Sequence, residues 1–137
     1  MSLGLMTLAM GQINNTSWNI GMRRVNKILA RERANGYQAY STGQYSEMAD
    51  IIVQDPDSLA PINSGFDVII RVYEVTNYAR PSEYIGKDKG ERYLNNLLQY
   101  RAEKIMVVSY EENLRILGGV SYFTKHGIKV EIVGYQD

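Results

Sequence analysis

The run FDVIIRVYEVTNY, residues 66–78, constrains this chain more than any other segment. Its β-branched and aromatic residues favour a pleated strand, and successive strand side chains point to opposite faces. Phe66, Val68, Ile70, Val72, Glu74 and Thr76 are therefore expected on one face, in a row that stays apolar until Glu74. A buried carboxylate is costly unless it is paired, protonated or bound to a cation. Asp50 is the candidate partner, because it interrupts Met48-Ala49-Asp50-Ile51-Ile52-Val53 in the same way. Two misplaced acids on successive strands imply one shared site. The bland alternative is a structural ion pair of these acids with Arg71 or Lys104.

The remaining pattern supplies the architecture. Ile20, Met22, Val25, Ile28 and Leu29 recur at helical spacing and Gly36 follows, which predicts a helix over residues 19–34. YQAY, EMADIIVQD and FDVIIRVYEVTNY read as three strands, the last two separated by a Pro/Asp/Ser/Gly loop through Gly65. After the polar turn ARPSEYIGKDKG, the segment ERYLNNLLQYRAE places Tyr93, Leu94, Leu97, Leu98 and Arg101 at helical intervals. AEKIMVVSY is a strand, EENLRILGGVSYFTKHG a helix ending at Gly127, and IKVEIVGY a last strand. The order α-β-β-β-α-β-α-β predicts an α/β fold, a mixed sheet flanked by helices. At 137 residues the chain fits one domain, residues 18–137, behind an N-terminal arm, residues 1–17. In that arm Gln12 to Ser17 could cap the first helix, and Met6 or Met10 could be the natural start.

Several classes drop out. Without cysteine there is no disulfide framework, thiolate zinc site or cysteine nucleophile. The one histidine, His126, sits at an expected helix end and is assigned no catalytic role. No run approaches the roughly 18 apolar residues that cross a bilayer, and the start lacks a basic region, so a soluble, intracellular protein with no membrane partner is expected. Fifteen basic against fifteen acidic residues leave zero formal net charge, so nucleic-acid affinity would have to come from local patches. Gly118-Gly119 is no phosphate loop and is expected at a close helix contact. The eleven tyrosines are expected mostly as half-buried packing residues, and the sequons at Asn14 and Asn15 as chance.

Two carboxylates on neighbouring strands suit Mg²⁺ or Mn²⁺, and the chemistry they imply is phosphodiester hydrolysis. Helix one ending at Gly36, then Ala49-Asp50-Ile51-Ile52-Val53, then Val72-Tyr73-Glu74-Val75-Thr76 resembles the PD-(D/E)xK restriction-endonuclease-like superfamily, and within it the archaeal Holliday junction resolvases. The resemblance spans roughly residues 20–135 as an order of elements. It implies a DNA endonuclease acting on DNA, branched DNA included, with Asp50, Glu74 and the Val75 carbonyl as metal ligands. The family lysine falls on Thr76, Ala49 replaces the motif proline, and the acid that resolvases carry early in helix one is missing, with Glu32 near that helix's end. Thr76, or a lysine displaced to Lys87 or Lys89, would then orient the water. Arg23, Lys27 and Arg31, with Arg24 beside them, line one stripe of the first helix. By itself that stripe fits an ordinary solvated face; the resemblance makes it a nucleic-acid contact beside the cleft. Cleaving two strands implies a homodimer. The alternative is a degenerate nuclease fold acting as a non-catalytic nucleic-acid-binding or assembly module.

Overall fold

The computed structural model describes residues 17–43, 47–57 and 68–135. The expectations for the arm up to Thr16, for the loop through Gly65 and for Phe66 lie outside these residues. Helix α1 spans Ser17–Ala34. It ends at Gly36, whose φ of 91° is the left-handed geometry that glycine adopts without strain. There the Gly36 N–H donates to the Arg33 carbonyl and the Tyr37 N–H to the Glu32 carbonyl, closing the helix end.

Strands β1 (Gln38–Ser41), β2 (Ile51–Gln54), β3 (Ile69–Val75), β4 (Glu103–Val108) and β5 (Lys129–Ile132) form one sheet in that spatial order. β1, β2 and β3 pair antiparallel, whereas β3, β4 and β5 pair parallel. The parallel steps need crossovers. Helix α2 (Lys87–Leu98) makes the first, and a 3₁₀ segment (Glu111–Leu117) with the single turn α3 (Ser121–Thr124) makes the second. The result is an α/β fold with a five-stranded mixed sheet and flanking helices. Among the described residues no helix is long and apolar enough to cross a membrane.

Each face of the sheet has its own core. Ile51, Val53, Tyr73, Val75, Ile105 and Val107 pack with Val25, Ile28 and Leu29 of α1. Ile52, Val72, Met106 and Val108 pack on the other face with Tyr93, Leu94 and Leu97 of α2 and with Phe123 of α3. Burying each such side chain contributes about 1.5–3 kcal/mol. The alternation expected along residues 66–76 holds from Val72 to Glu74 but not across Ile70. Arg71 faces Val53 and Ile69 faces Gln54, so Ile70 is one residue too many for β2. Such a bulge shifts the phase, and Ile70 packs with the α1-side core instead of sharing the face of Val72 and Glu74.

Three further expectations are corrected. Asp50 is the bend residue before β2, not a strand residue. The expected helix through residues 111–127 breaks at Gly118 and Gly119, whose φ values of 97° and 94° leave the right-handed helix. A Cβ at either would meet nothing within 4 Å, so their role is conformational and not close packing. The close approach falls on Gly90 of α2, where a Cβ would stand 2.7 Å from the Leu117 side chain. Finally, α2 ends at Leu98, which is exposed, so Arg101 lies beyond it.

The β3–α2 connection is fastened by buried Asn113. Its side chain donates to the carbonyls of Arg80 and Glu83, and its own carbonyl accepts from the Ile85 N–H.

Candidate metal centre

The bend at Asp50 and the end of β3 bring the two acids together. The Asp50 N–H donates to Glu74 Oε1 at 3.1 Å, and the Val75 N–H donates to Asp50 Oδ2 at 2.8 Å. Both side chains are buried, at 6% and 2% exposure. In an extended strand one residue's N–H and C=O point to the same edge, so the Val75 carbonyl faces the edge whose N–H serves Asp50. Neither acid pairs with the cations proposed for a structural salt bridge. Arg71 bonds Glu32 and Glu103, and the Lys104 ammonium donates to the Ala102 carbonyl.

Burial drives the titration of the pair. It pushes Asp50 up to about 7, against the pull of the Val75 N–H and the charge of Arg92. Burial and then the charge of Asp50 push Glu74 up to about 9, opposed by the Asp50 N–H, an Asn96 hydrogen bond and Arg92. Two carboxylates that resist ionising side by side are stabilised as anions by a cation placed between them.

This fixes a pH dependence. Unfolded carboxylates ionise near pH 4, while the folded pair keeps its protons to higher pH, so the folded state binds more protons in between and stability falls as pH rises. Melting the metal-free protein from pH 5 to pH 9 is expected to show this loss, and saturating Mn²⁺ should flatten it. Glu32 acts with the opposite sign: burial raises it, but bonds from Arg71 and Tyr73 outweigh burial and hold it low. Its contribution is lost only as the solution is acidified.

The structure brings together Asp50, Glu74 and Val75 but disperses the other expected residues. Thr76 is buried and its hydroxyl donates to the Val107 carbonyl at 3.0 Å. Lys87 is exposed at the start of α2, and the Lys89 ammonium sits 5.0 Å above the Tyr78 ring. Arg23, Lys27 and Arg31 are exposed, but Arg24 is 1% exposed and leaves the stripe. Its guanidinium donates to the carbonyls of Thr76 at 2.8 Å and Gly134 at 3.1 Å, tying α1 to the ends of the sheet. Arg31 is held by Glu131 at 3.0 Å. Helix α1 also covers the face opposite Glu74, so Glu32 bonds Arg71 and Tyr73 and does not complete the site.

Sequence reasoning missed the contribution of α2. Arg92 and Asn96 stand one turn apart and line a groove of about 600 Å³ with Glu47, Asp88, Glu91, Asn95 and Gln99. Asn96 bonds Glu74, and Arg92 is the cation whose charge acts on both carboxylates. The available signal was Asn96 itself, a polar residue between Tyr93 and Leu97 on a face that the periodicity buries. Tyr100 fastens the same corner, its hydroxyl accepting from the Ala49 N–H at 3.2 Å.

The donor set of two carboxylates and one carbonyl fits Mg²⁺ or Mn²⁺, which keep several waters and take few protein ligands. Among the described residues no group of three or more His, Cys, Asp or Glu side chains forms a metal cage. Comparison of the chain with protein-family models, curated proteins and solved structures finds no match.

Proposed function

We propose that this chain is a divalent-metal-dependent DNA endonuclease of the restriction-endonuclease-like class, similar to the archaeal Holliday junction resolvases. The observation that carries this reading is the convergence of Asp50 and Glu74, buried beside each other with the Val75 backbone. Further support comes from the strand order, with an antiparallel β1–β2–β3 unit continued by a parallel crossover to β4.

Asp50 and Glu74 would hold Mg²⁺ or Mn²⁺ with the Val75 carbonyl. When bound, such an ion supplies an activated water and charge neutralisation at a scissile phosphodiester. Asn96 orients Glu74, and the Val75 N–H orients Asp50. With Thr76 turned to Val107, the positive charge comes from α2: Arg92 meets the phosphate at the groove. Glu47, Asp88 and Glu91 in that groove repel a polyanion and attract divalent cations, so substrate binding itself should need Mg²⁺. Arg92→Ala is expected to lower cleavage about tenfold or more, on the scale of losses around metal sites, with Arg92→Lys recovering part of it in steady-state kinetics.

The test is incubation of a four-way junction, a supercoiled plasmid and single strands with Mg²⁺ or Mn²⁺. Cleavage of at least one substrate is expected, and intact substrates throughout would sink the nuclease reading. Sedimentation of the same samples tests the homodimer. Thr76 in place of lysine favours a second reading, a non-catalytic nucleic-acid-binding or assembly module. Salt-sensitive binding without cutting would select it.

A further inference from the structure

The two edges of the sheet are finished differently. On β1 the Thr42 N–H bonds the Asp50 carbonyl at 3.0 Å, and strand residues turn N–H and C=O together toward alternate edges, so Ala39 faces outward. Its carbonyl is taken by Arg33 of α1, which donates from Nε at 3.1 Å and from a terminal nitrogen at 2.7 Å. That edge is guarded. On β5 the Val133 N–H bonds the Val108 carbonyl at 2.9 Å, so Glu131 and Lys129 also face β4, while Val130 and Ile132 turn their backbone groups outward. Among the described residues no strand pairs with this outer edge, and Ile132 on it is 51% exposed. An unpaired, partly apolar strand edge is a template for a further strand.

The side chains select the strand that fits. Placed antiparallel across a two-fold axis at Val130, a second copy of β5 sets Val130 against Val130, whose outward groups exchange N–H···O bonds in both directions. The same register sets Lys129 opposite Glu131 of the other copy, and Glu131 opposite Lys129. These are non-hydrogen-bonded pairs, the closer kind, with Cα atoms about 4.5 Å apart. Both residues lie on the α1 side of the sheet, where Glu131 accepts from Arg31 at 3.0 Å and, as a carboxylate, has acceptor sites left. Ile132 comes diagonal to Val130 of the second copy, within reach of apolar contact. A lysine on an edge repels a neighbouring copy where it meets another cation; in this register it meets an acid.

We propose that the outer edge of β5 is a self-association surface, on which a second copy of this chain continues the sheet. The contact is isologous, so it closes at two copies. With four residues on each side the ladder is short, and association is weak and concentration-dependent. The surface gives the homodimer of the nuclease reading a location but rests on β5 alone, without Asp50 or Glu74. A chain that dimerises without cutting leaves the surface standing, and a monomer leaves metal binding standing.

Sedimentation of the full chain from about 1 µM to about 1 mM tests the proposal, and a monomer–dimer equilibrium is expected within that range. Lys129→Glu alone and Glu131→Lys alone each bring like charges face to face at two places, and each should weaken self-association about tenfold. An equimolar mixture of these two variants restores both opposite-charge pairs and should associate about as tightly as wild type; such a gain cannot arise from misfolding. Val130→Pro removes an outward N–H at a place where an edge strand tolerates proline, and should give a monomer whose circular dichroism matches wild type. Unchanged self-association in Lys129→Glu, or a mixture that binds no better than its parts, would overturn the register. A monomer at every concentration would overturn the proposal and leave the edge to a strand of another protein.

Discussion

Asp50→Asn and Glu74→Gln are each expected to lower metal-dependent cleavage at least about a hundredfold while raising the melting temperature of the metal-free protein at pH 8. The loss exceeds the 10–100-fold typical of residues that only support metal ligands, because these side chains would bear the ligand oxygens. The gain follows from burial. At pH 8 the folded pair is pressed to ionise in surroundings that resist it, and an amide of the same shape removes that cost. It also keeps one carbonyl oxygen to accept the N–H of Asp50 or of Val75. Opposite movements of stability and activity mark a site held under strain for function. A core residue would lose both together. Melting curves with and without Mn²⁺, beside cleavage assays, check the two halves of the expectation.

Arg24→Ala is expected to cost about 2–5 kcal/mol, from two backbone carbonyls left without their donor at about 1–3 kcal/mol each, together with lost packing. Arg23→Ala, one residue away and exposed, should stay within about 0.5 kcal/mol. The guanidinium of Arg24 satisfies the Thr76 and Gly134 carbonyls, which join the ends of β3 and β5 to α1. Removing Arg24, itself 1% exposed, leaves the buried Thr76 carbonyl and the half-buried Gly134 carbonyl short of a donor. Against a usual total of 5–15 kcal/mol, such a loss is severe, and urea denaturation of the two variants measures it directly.

These two arginines show where the sequence stopped being informative. The helical period of α1 was legible because Val25, Ile28 and Leu29 bury a face at regular spacing. The fate of Arg24 was not legible, because its donors reach residues 52 and 110 positions away. Strand alternation placed Val72 and Glu74 on one face, and the bulge at Ile70 was hidden because it depends on the partner strand's register. Asp50 and Glu74 were legible as charges in apolar surroundings. Arg92 and Asn96 were not, since a polar residue on an amphipathic helix is ordinary until its neighbour across the core is known. The split at Gly118-Gly119 could have been expected from the two glycines, whose freedom at positive φ ends a helix more often than it packs one. Apart from the last helix, which is split into a 3₁₀ segment and a single turn, the order of elements survived these local errors because hydrophobic periodicity is set by the whole layer, whereas site geometry turns on single contacts.

The most direct test of the central claim is calorimetric titration of Mn²⁺ into the protein at pH 7 in buffers of different ionisation enthalpy. Metal ligands must be deprotonated to bind, and here the folded pair still holds protons at that pH. One ion per chain is expected, with release of about one proton or more, and Asp50→Asn should reduce both affinity and proton release. Binding without proton release, or binding that Asp50→Asn and Glu74→Gln leave intact, would contradict a metal site built on these two carboxylates.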